Sequence, residues 1–313
     1  MIDVSVIIPT LNPHLGRLSQ TLAGLVAQTL PRDQWEVFLV DNNSTTPIEL
    51  ASLPKPYPPS LRILHESSPG LTAARRCGLR AAQGRFCILV DDDNVLAPNY
   101  LSDVVRRFET SPKLGAAGGP SRPDFESPPP AWLQEFQGLL ALRDLGQESL
   151  IATNFCAQDP TRKSYPAAAP IGAGMALRRS AVHCWLEDMT ALQLADRCGN
   201  ELTSGGDNDI VLTLLSQGWH VGYFPELSLH HLIPTSRMQR GYLARLNRGI
   251  ARSWVQVLSK HHICPWPPVR QWTVPLRKLK AWFTYRAWRN PAARIRWQGA
   301  CGHFEGRALR AKQ

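Results

Sequence analysis

Three short apolar runs each end against a polar group, and this pattern limits what the chain can fold into more than any other feature. Val4-Ser5-Val6-Ile7-Ile8 stops at Pro9, Val37-Phe38-Leu39-Val40 enters Asp41-Asn42-Asn43-Ser44, and Phe86-Cys87-Ile88-Leu89-Val90 runs into Asp91-Asp92-Asp93. Near-continuous apolar runs of this length predict strands buried on both faces. A further strand is expected at Leu61-Arg62-Ile63-Leu64. Leu18 to Leu30 carries apolar residues at helical spacing before Pro31, and helices are expected at 71–83 and 99–110. Strands alternating with helices imply an α/β fold with a mainly parallel sheet, whose ligand lies outside the carboxyl ends of the strands. The polar residues at those ends are therefore the first candidates for chemistry.

Further along, periodicity weakens. Residues 119–170, punctuated by Pro128-Pro129-Pro130 and Ala167-Ala168-Ala169-Pro170, read as an acceptor-side excursion or a mobile loop. Strand character resumes at 171–177, helix at 210–215 and strand at 220–224. From 235 the chain reads as helical and basic, with a proline break at 265–268. The expected organisation is a catalytic α/β domain over 1–234 and a basic, Trp-rich helical extension over 235–313.

The net charge of +10 suggests a nucleic-acid partner until it is divided along the chain. Residues 235–313 hold 17 Lys/Arg and one acid, Glu305, while residues 1–234 hold 18 basic and 24 acidic residues, giving +16 and −6. The extension also holds six of the ten tryptophans. Trp among Arg and Lys suits the headgroup level of an anionic membrane, and also suits a packed helical surface. An RNA-binding tail has a similar composition, but the acidic body weighs against nucleic acid. No stretch supplies the roughly 18 consecutive apolar residues of a spanning helix. The start of the chain lacks a basic patch followed by a secretory apolar region. The seven cysteines are odd in number and without CxxC spacing, which favours buried thiols over a disulfide scaffold or zinc module. The expected location is the cytoplasm, with peripheral attachment to the inner face of the cytoplasmic membrane as the extension's contribution.

Three consecutive carboxylates after an apolar strand repel one another unless a cation sits among them. Oxygen ligands of this kind suit Mg²⁺ or Mn²⁺, which bind through one or two carboxylates and the phosphates of a substrate. A solvated turn in which Asp93 or Asn94 caps a helix is the alternative. Asp41 ends a second strand in the same way, and Asp-Asn-Asn-Ser is equally the chemistry of an Asx turn. Ser204-Gly205-Gly206-Asp207-Asn208-Asp209 brings two acids to the start of an expected helix, where an acid also serves as an ordinary cap. His231, in His230-His231-Leu232-Ile233-Pro234, can complete a metal shell or pack in a core.

The order of these pieces says more than any one of them. Pro9-Thr10-Leu11-Asn12, Asp41, Gly70-Leu71-Thr72-Ala73-Ala74-Arg75, Asp91-Asp92-Asp93, Gly206-Asp207 and His231 together resemble the family 2 glycosyltransferases of the GT-A fold. The resemblance spans about residues 3–234. It implies a Rossmann-like mixed sheet and inverting transfer from a nucleotide-diphosphate sugar, of the UDP or GDP type, to a hydroxyl acceptor. By the same resemblance Asp91 and Asp93 hold the Mn²⁺ or Mg²⁺ ion, and His231 is the candidate from its own chemistry to complete the shell. Pro9, Thr10, Asn12, Asp41, Arg75 and Asp92 face the donor, and Asp207 is the general base. Gly206 stands where that family often has Glu, which leaves Asp209 as an alternative base, and Arg76 stands where Asn is common. The His-Leu-Ile-Pro segment resembles a bacterial subset associated with surface polysaccharide or glycolipid assembly, with a lipid-linked saccharide as a candidate acceptor.

Two other classes compete. A nucleotidyltransferase also joins a nucleotide, a metal and an α/β sheet, but should show a glycine-rich phosphate loop after the first strand, and Pro9-Thr10-Leu11-Asn12-Pro13 is not one. A membrane- or RNA-binding adaptor on a decayed transferase scaffold would have no reason to keep Asp41, Asp91, Asp93 and Asp207 together.

Overall fold

β1 (Val4–Thr10) and β2 (Trp35–Asp41) are buried at every position, because each has a strand on both sides and helices over both faces. The computed structural model describes residues 1–155, 163–188, 196 and 202–310. Around those two strands lie β3 (Leu61–His65), β4 (Phe86–Leu89), β6 (Leu114–Gly118), β8 (Leu150–Ala152), β9 (Met175–Arg178) and β10 (His220–Tyr223), in the order β3-β2-β1-β4-β9-β6-β10-β8. The first four are parallel, β9 is antiparallel to β4 and β6, and β10 returns parallel to β6. A second sheet of β5 (Asn94–Leu96), β11 (Leu229–Ile233) and β7 (Ser121–Phe125) sits beyond the end of β4.

Alternation along β1 divides the core. Val4, Val6 and Ile8 join Leu18 and Leu22 of α1 (Leu15–Val26) and Phe108 of α3 (Tyr100–Thr110). Ile7 points the other way, to Ala74 and Leu79 of α2 (Leu71–Ala81), Trp185 of α4 (Arg179–Glu187) and Leu214 of α5 (Gly206–Ser216). The expected mainly parallel α/β sheet is the one observed.

Several elements were not expected. Residues 119–170 contain β7, β8 and a 3-10 segment at Ala131–Leu140. β6 reads Leu-Gly-Ala-Ala-Gly and lacks the β-branched residues that signal a strand; its small side chains let it sit buried between β9 and β10. The strand expected at 171–177 begins only at Met175, since Gly174 takes φ +72° just before it. His230 and His231 lie inside β11.

The extension consists of α6 (Arg240–Lys260), α7 (Val274–Thr284) and α8 (Pro291–Arg310). α8 lies directly on α6 because its contact face carries glycine: a Cβ on Gly302 would stand 2.0 Å from the Arg248 carbonyl oxygen. Leu243 and Leu246 of α6 and Ile295 of α8 share a core with Leu133 and Phe136 of the 3-10 segment. Among the described residues no helix is long and apolar enough to cross a membrane. Cys77, Cys87, Cys184, Cys264 and Cys301 are free thiols, while Cys156 and Cys198 lie outside the described residues.

Candidate active site

The crevice is cut by the divergence of two neighbouring strands. β1 pairs with β4 only as far as Ile7 and Leu89, with a last bond from Val90 N–H to the Ile7 carbonyl at 2.9 Å. β1 continues beside β2 to the pairing of Thr10 with Asp41, while the other chain turns at Asp91, whose carbonyl accepts from Asn94 N–H at 3.0 Å. Pro9 lies past the shared ladder, where its missing N–H costs nothing on the β4 side. The opening, about 380 Å³, is lined by Pro9, Thr10, Asp91, Asp92 and Asp93, with Asn42, Arg17, Arg237 and Tyr242 around them.

Within it the three acids occupy different settings. The Thr10 hydroxyl donates to the Asp92 carboxylate at 2.5 Å. Burial, reinforced by the Asp93 charge next to it, pushes the Asp92 carboxyl up to about 6 despite that bond. Asp91 lies 3.8 Å from the Arg75 guanidinium. Asp93 is buried, with Arg237 Nη1 2.8 Å from Oδ2 and His231 Nε2 3.3 Å from Oδ1. Arg237 Nη1 also stands 3.3 Å from His231 Nε2, and His231 Nδ1 is buried without a hydrogen-bond partner among the described residues. Burial alone would lower the Arg237 pKa, but the charge of Asp93, joined by those of Tyr242, Asp91 and Asp92, together outweighs it and holds the guanidinium more firmly protonated.

These contacts bear on a metal. Among the described residues no three His, Cys, Asp or Glu side chains converge tightly enough to hold an ion alone. Asp93 and His231 do converge on one position, and a cationic guanidinium already stands against both. A carboxylate and an imidazole there have the donor chemistry to fit a divalent ion that also takes ligands from outside the protein.

Asp41 lies below the rim and forms the Asx turn that its sequence suits. Oδ1 accepts from Ser44 N–H at 3.0 Å and Oδ2 from Ile48 N–H at 3.1 Å. Burial raises its pKa, but the Ser44 hydroxyl, these backbone bonds and His65 together more than compensate, and it ends below the usual range. Asn12 joins the same loop, accepting from Thr45 N–H at 2.8 Å and lining an adjacent hollow with Ser44 and Ile48 rather than the crevice itself. Asn42, one residue past Asp41, donates to the Glu66 and Ser68 carbonyls and accepts from Gly70 N–H, which fixes the start of α2.

Arg75 of α2 is buried behind the acids, 3.8 Å from both Asp91 and Asp196, with its Nε lacking a hydrogen-bond partner among the described residues. Arg76 faces the other way. Its guanidinium donates to the Trp185 and Asp188 carbonyls at 2.9 and 3.1 Å and to that of Leu186, closing the end of α4. A cation replacing Asn at this position therefore serves the packing of α4.

The two acids of α5 part company. Asp207 Oδ2 accepts from Gly172 N–H and Oδ1 from Asn208 N–H, both at 3.0 Å, which aims the carboxylate toward the segment before β9. Asp209 is buried, taking bonds from Trp185 Nε1 and Lys260 Nζ at 2.9 Å and from His261 Nε2 at 2.7 Å. Gly206 packs so closely that a Cβ would stand 2.5 Å from Asp196 Oδ2 and 3.0 Å from Thr72 Oγ1. Asp196 Oδ2 accepts from Gly206 N–H and its carbonyl from Leu71 N–H, so one residue joins the starts of α2 and α5. Glutamate cannot occupy 206 without displacing it.

Sequence reasoning missed Arg237 and Asp196. The available signal for Arg237 was the charge imbalance of three adjacent acids, which requires a cation from elsewhere; Asp196 carried none.

A family model described as glycosyl transferase family 2 matches residues 5–186. The succinoglycan biosynthesis protein ExoM of Rhizobium meliloti is 23% identical over 235 residues, spanning 73% of this chain and 67% of that protein. The mannosyltransferase PcManGT from Pyrobaculum calidifontis, in complex with GDP-Man and Mn²⁺, superposes with a TM-score of 0.53 at 18% identity, over 95% of this chain and 73% of its own. Residues 1–349 of Staphylococcus aureus TarS, in complex with UDP-GlcNAc, give a TM-score of 0.51 at 13% identity, over 100% of this chain and 93% of that one. These two structures share the mixed α/β architecture described above.

Proposed function

The chain belongs to glycosyl transferase family 2, and from this premise we propose that it moves a sugar from a nucleotide-diphosphate donor to an acceptor hydroxyl, inverting the anomeric carbon. The observation that carries the reading is the meeting of buried Asp93 and His231 with the Arg237 guanidinium beside the strand-end crevice. GDP-Man and UDP-GlcNAc in the two structural neighbours support a donor of the UDP or GDP type. Transfer to a surface saccharide, lipid-linked in one form of this reading, takes its support from the named role of the succinoglycan relative.

In this reading Pro9 and Thr10 form the wall against the nucleoside, with Asp41 and Asn12 shaping the loop beside it. Asp91, Asp93 and His231 would hold Mn²⁺ or Mg²⁺, which supplies charge neutralisation to the departing diphosphate. Arg237 and Arg75 add fixed positive charge at the same end. Asp207, oriented by two backbone N–H groups, accepts the acceptor's hydroxyl proton as that oxygen attacks the anomeric carbon. The bond from that carbon to the diphosphate breaks on the opposite face, and the nucleoside diphosphate leaves. Asp209, saturated by Trp185, Lys260 and His261, braces the helix that carries Asp207.

Calorimetric titration with UDP and GDP, with and without Mn²⁺ or Mg²⁺, tests this without knowledge of the acceptor. Metal-dependent binding of one nucleotide, lost in Asp91→Asn/Asp93→Asn, is the expected result. Binding that ignores both metal and mutation would remove the donor site from this crevice.

A further inference from the structure

The fold sorts the six tryptophans of the extension into two sets. Trp254 stacks edge-on against Tyr165, Trp266 against His303 and Trp282 against Trp297, at centroid distances of 5.1, 4.6 and 4.7 Å. Trp297 Nε1 donates to the Lys278 carbonyl at 3.0 Å. Trp266, Trp282 and Trp297 hold the extension together, and Trp254 ties it to the 1–234 domain. Trp272 and Trp288 are more than half exposed, as are Leu276, Leu279 and Phe283.

The exposed apolar residues form one surface. On α7, positions 276, 279 and 283 fall on one face at about 100° per residue, opposite buried Val274 and Ala281. Trp272 precedes this stripe, and Trp288 follows it with its ring 5.9 Å from that of Phe283. Exposed Arg277, Lys280, Arg286 and Arg289 border it. Glu305, the one acidic side chain of the extension, is engaged by Arg248 and Lys278, so no other acidic side chain of the extension is there to neutralise this border.

A contiguous exposed apolar face marks an interaction surface. Its chemistry selects the partner. We propose that α7 and its flanking tryptophans form an in-plane docking face for an anionic lipid bilayer, with Leu276, Leu279 and Phe283 at the acyl boundary. Trp272 and Trp288 then sit at headgroup level, and the arginines and lysine meet lipid phosphates. An 11-residue helix is about 16 Å long, too short to cross, so it lies along the surface. A second copy of this chain suits the face poorly, because two-fold pairing brings the same cationic border against itself. The inference stands independently of the donor site.

Co-sedimentation of the full chain with vesicles of phosphatidylglycerol and phosphatidylcholine, against phosphatidylcholine alone, tests it. Binding to the anionic vesicles with a blue-shifted Trp emission is expected. Leu276→Glu/Leu279→Glu/Phe283→Glu should weaken it at least about tenfold, and Lys280→Ala/Arg289→Ala by about tenfold at low salt. Both variants should keep the wild-type circular dichroism spectrum and melting midpoint, since the replaced groups face solvent. No sedimentation of the wild type with anionic vesicles overturns the proposal. So does a wild-type dimer, in analytical ultracentrifugation, that the glutamate variant splits without any lipid binding by either protein.

Discussion

Arg237 reaches back from the segment after β11 to place Nη1 2.8 Å from Oδ2 of Asp93, across 144 positions of sequence. A buried carboxylate in a run of three acids is thereby compensated by a cation that none of the neighbouring residues could supply. Removing one partner of such a pair leaves an uncompensated charge, at a typical cost of about 3 kcal/mol or more. Arg237→Ala should therefore lower stability in metal-free buffer. Mn²⁺ should raise its melting midpoint by more than that of the wild type, because the proposed ion and the guanidinium would share Asp93. An equal Mn²⁺ effect on both proteins, read by thermal unfolding, would separate Arg237 from the proposed metal position.

Asp207→Asn keeps the size of the side chain and removes its ability to take a proton. Turnover should fall by about 10²–10⁴-fold, while nucleotide binding by calorimetry stays unchanged. Turnover within a few-fold of wild type would move the base elsewhere.

Asp209 should matter to stability first. Burial raises its carboxyl pKa, but the bonds from His261 and Lys260 more than offset this and leave it below the ordinary 3.8. A carboxyl held lower in the folded than in the unfolded protein stabilises above the unfolded value, and that contribution disappears as pH falls through the folded one. Asp209→Ala should lose about 3 kcal/mol at neutral pH, and its stability should fall less steeply below about pH 4 than that of the wild type. Urea unfolding across acidic pH measures both; parallel curves for the two proteins would contradict the assignment.

Gly206→Ala tests the joint between α2 and α5. The added methyl meets Asp196 and Thr72, so a loss of about 1–3 kcal/mol is expected from overpacking. Asp207, next in sequence, should shift with the helix start and reduce turnover as well. A fully stable and active variant would mean that Asp196 yields without consequence.

The strand ends were legible because a strand buried on both faces is almost wholly apolar, admitting a polar residue only where it is paired, as Ser5 of β1 is with Glu36 of β2. The first polar residue after each, Pro9-Thr10, Asp41 or Asp91, therefore marks where the sheet stops. Their meeting at one edge followed from parallel topology. The acids of α5 were ambiguous for a geometric reason: residues two apart on a helix point about 200° from each other. Asp207 and Asp209 thus face different neighbours, and pattern alone does not say which neighbour is which. Lys260 and His261, which settle the surroundings of Asp209, lie more than fifty residues away in a segment that looked like a separate extension. β6 was hidden because Gly and Ala carry no strand signal, although their smallness is what the crowded sheet requires.

The 21 residues of α6 make a rod about 31 Å long with both ends tied to the catalytic body. Just before its first turn, Arg237 grips Asp93; at its last residue and the one beyond, Lys260 and His261 grip Asp209. The helix therefore acts as a gauge block between the leaving-group end of the proposed reaction and the helix bearing its proton acceptor. A loop in this place would let the gap between them breathe, whereas a continuous helix, backed by α8 along its glycine seam, keeps it constant. Tolerance for insertions in α6 should accordingly be set by registry: adding one residue rotates one anchor about 100° away from its acid, while adding about a full turn restores the angle but lengthens the gauge by some 5 Å.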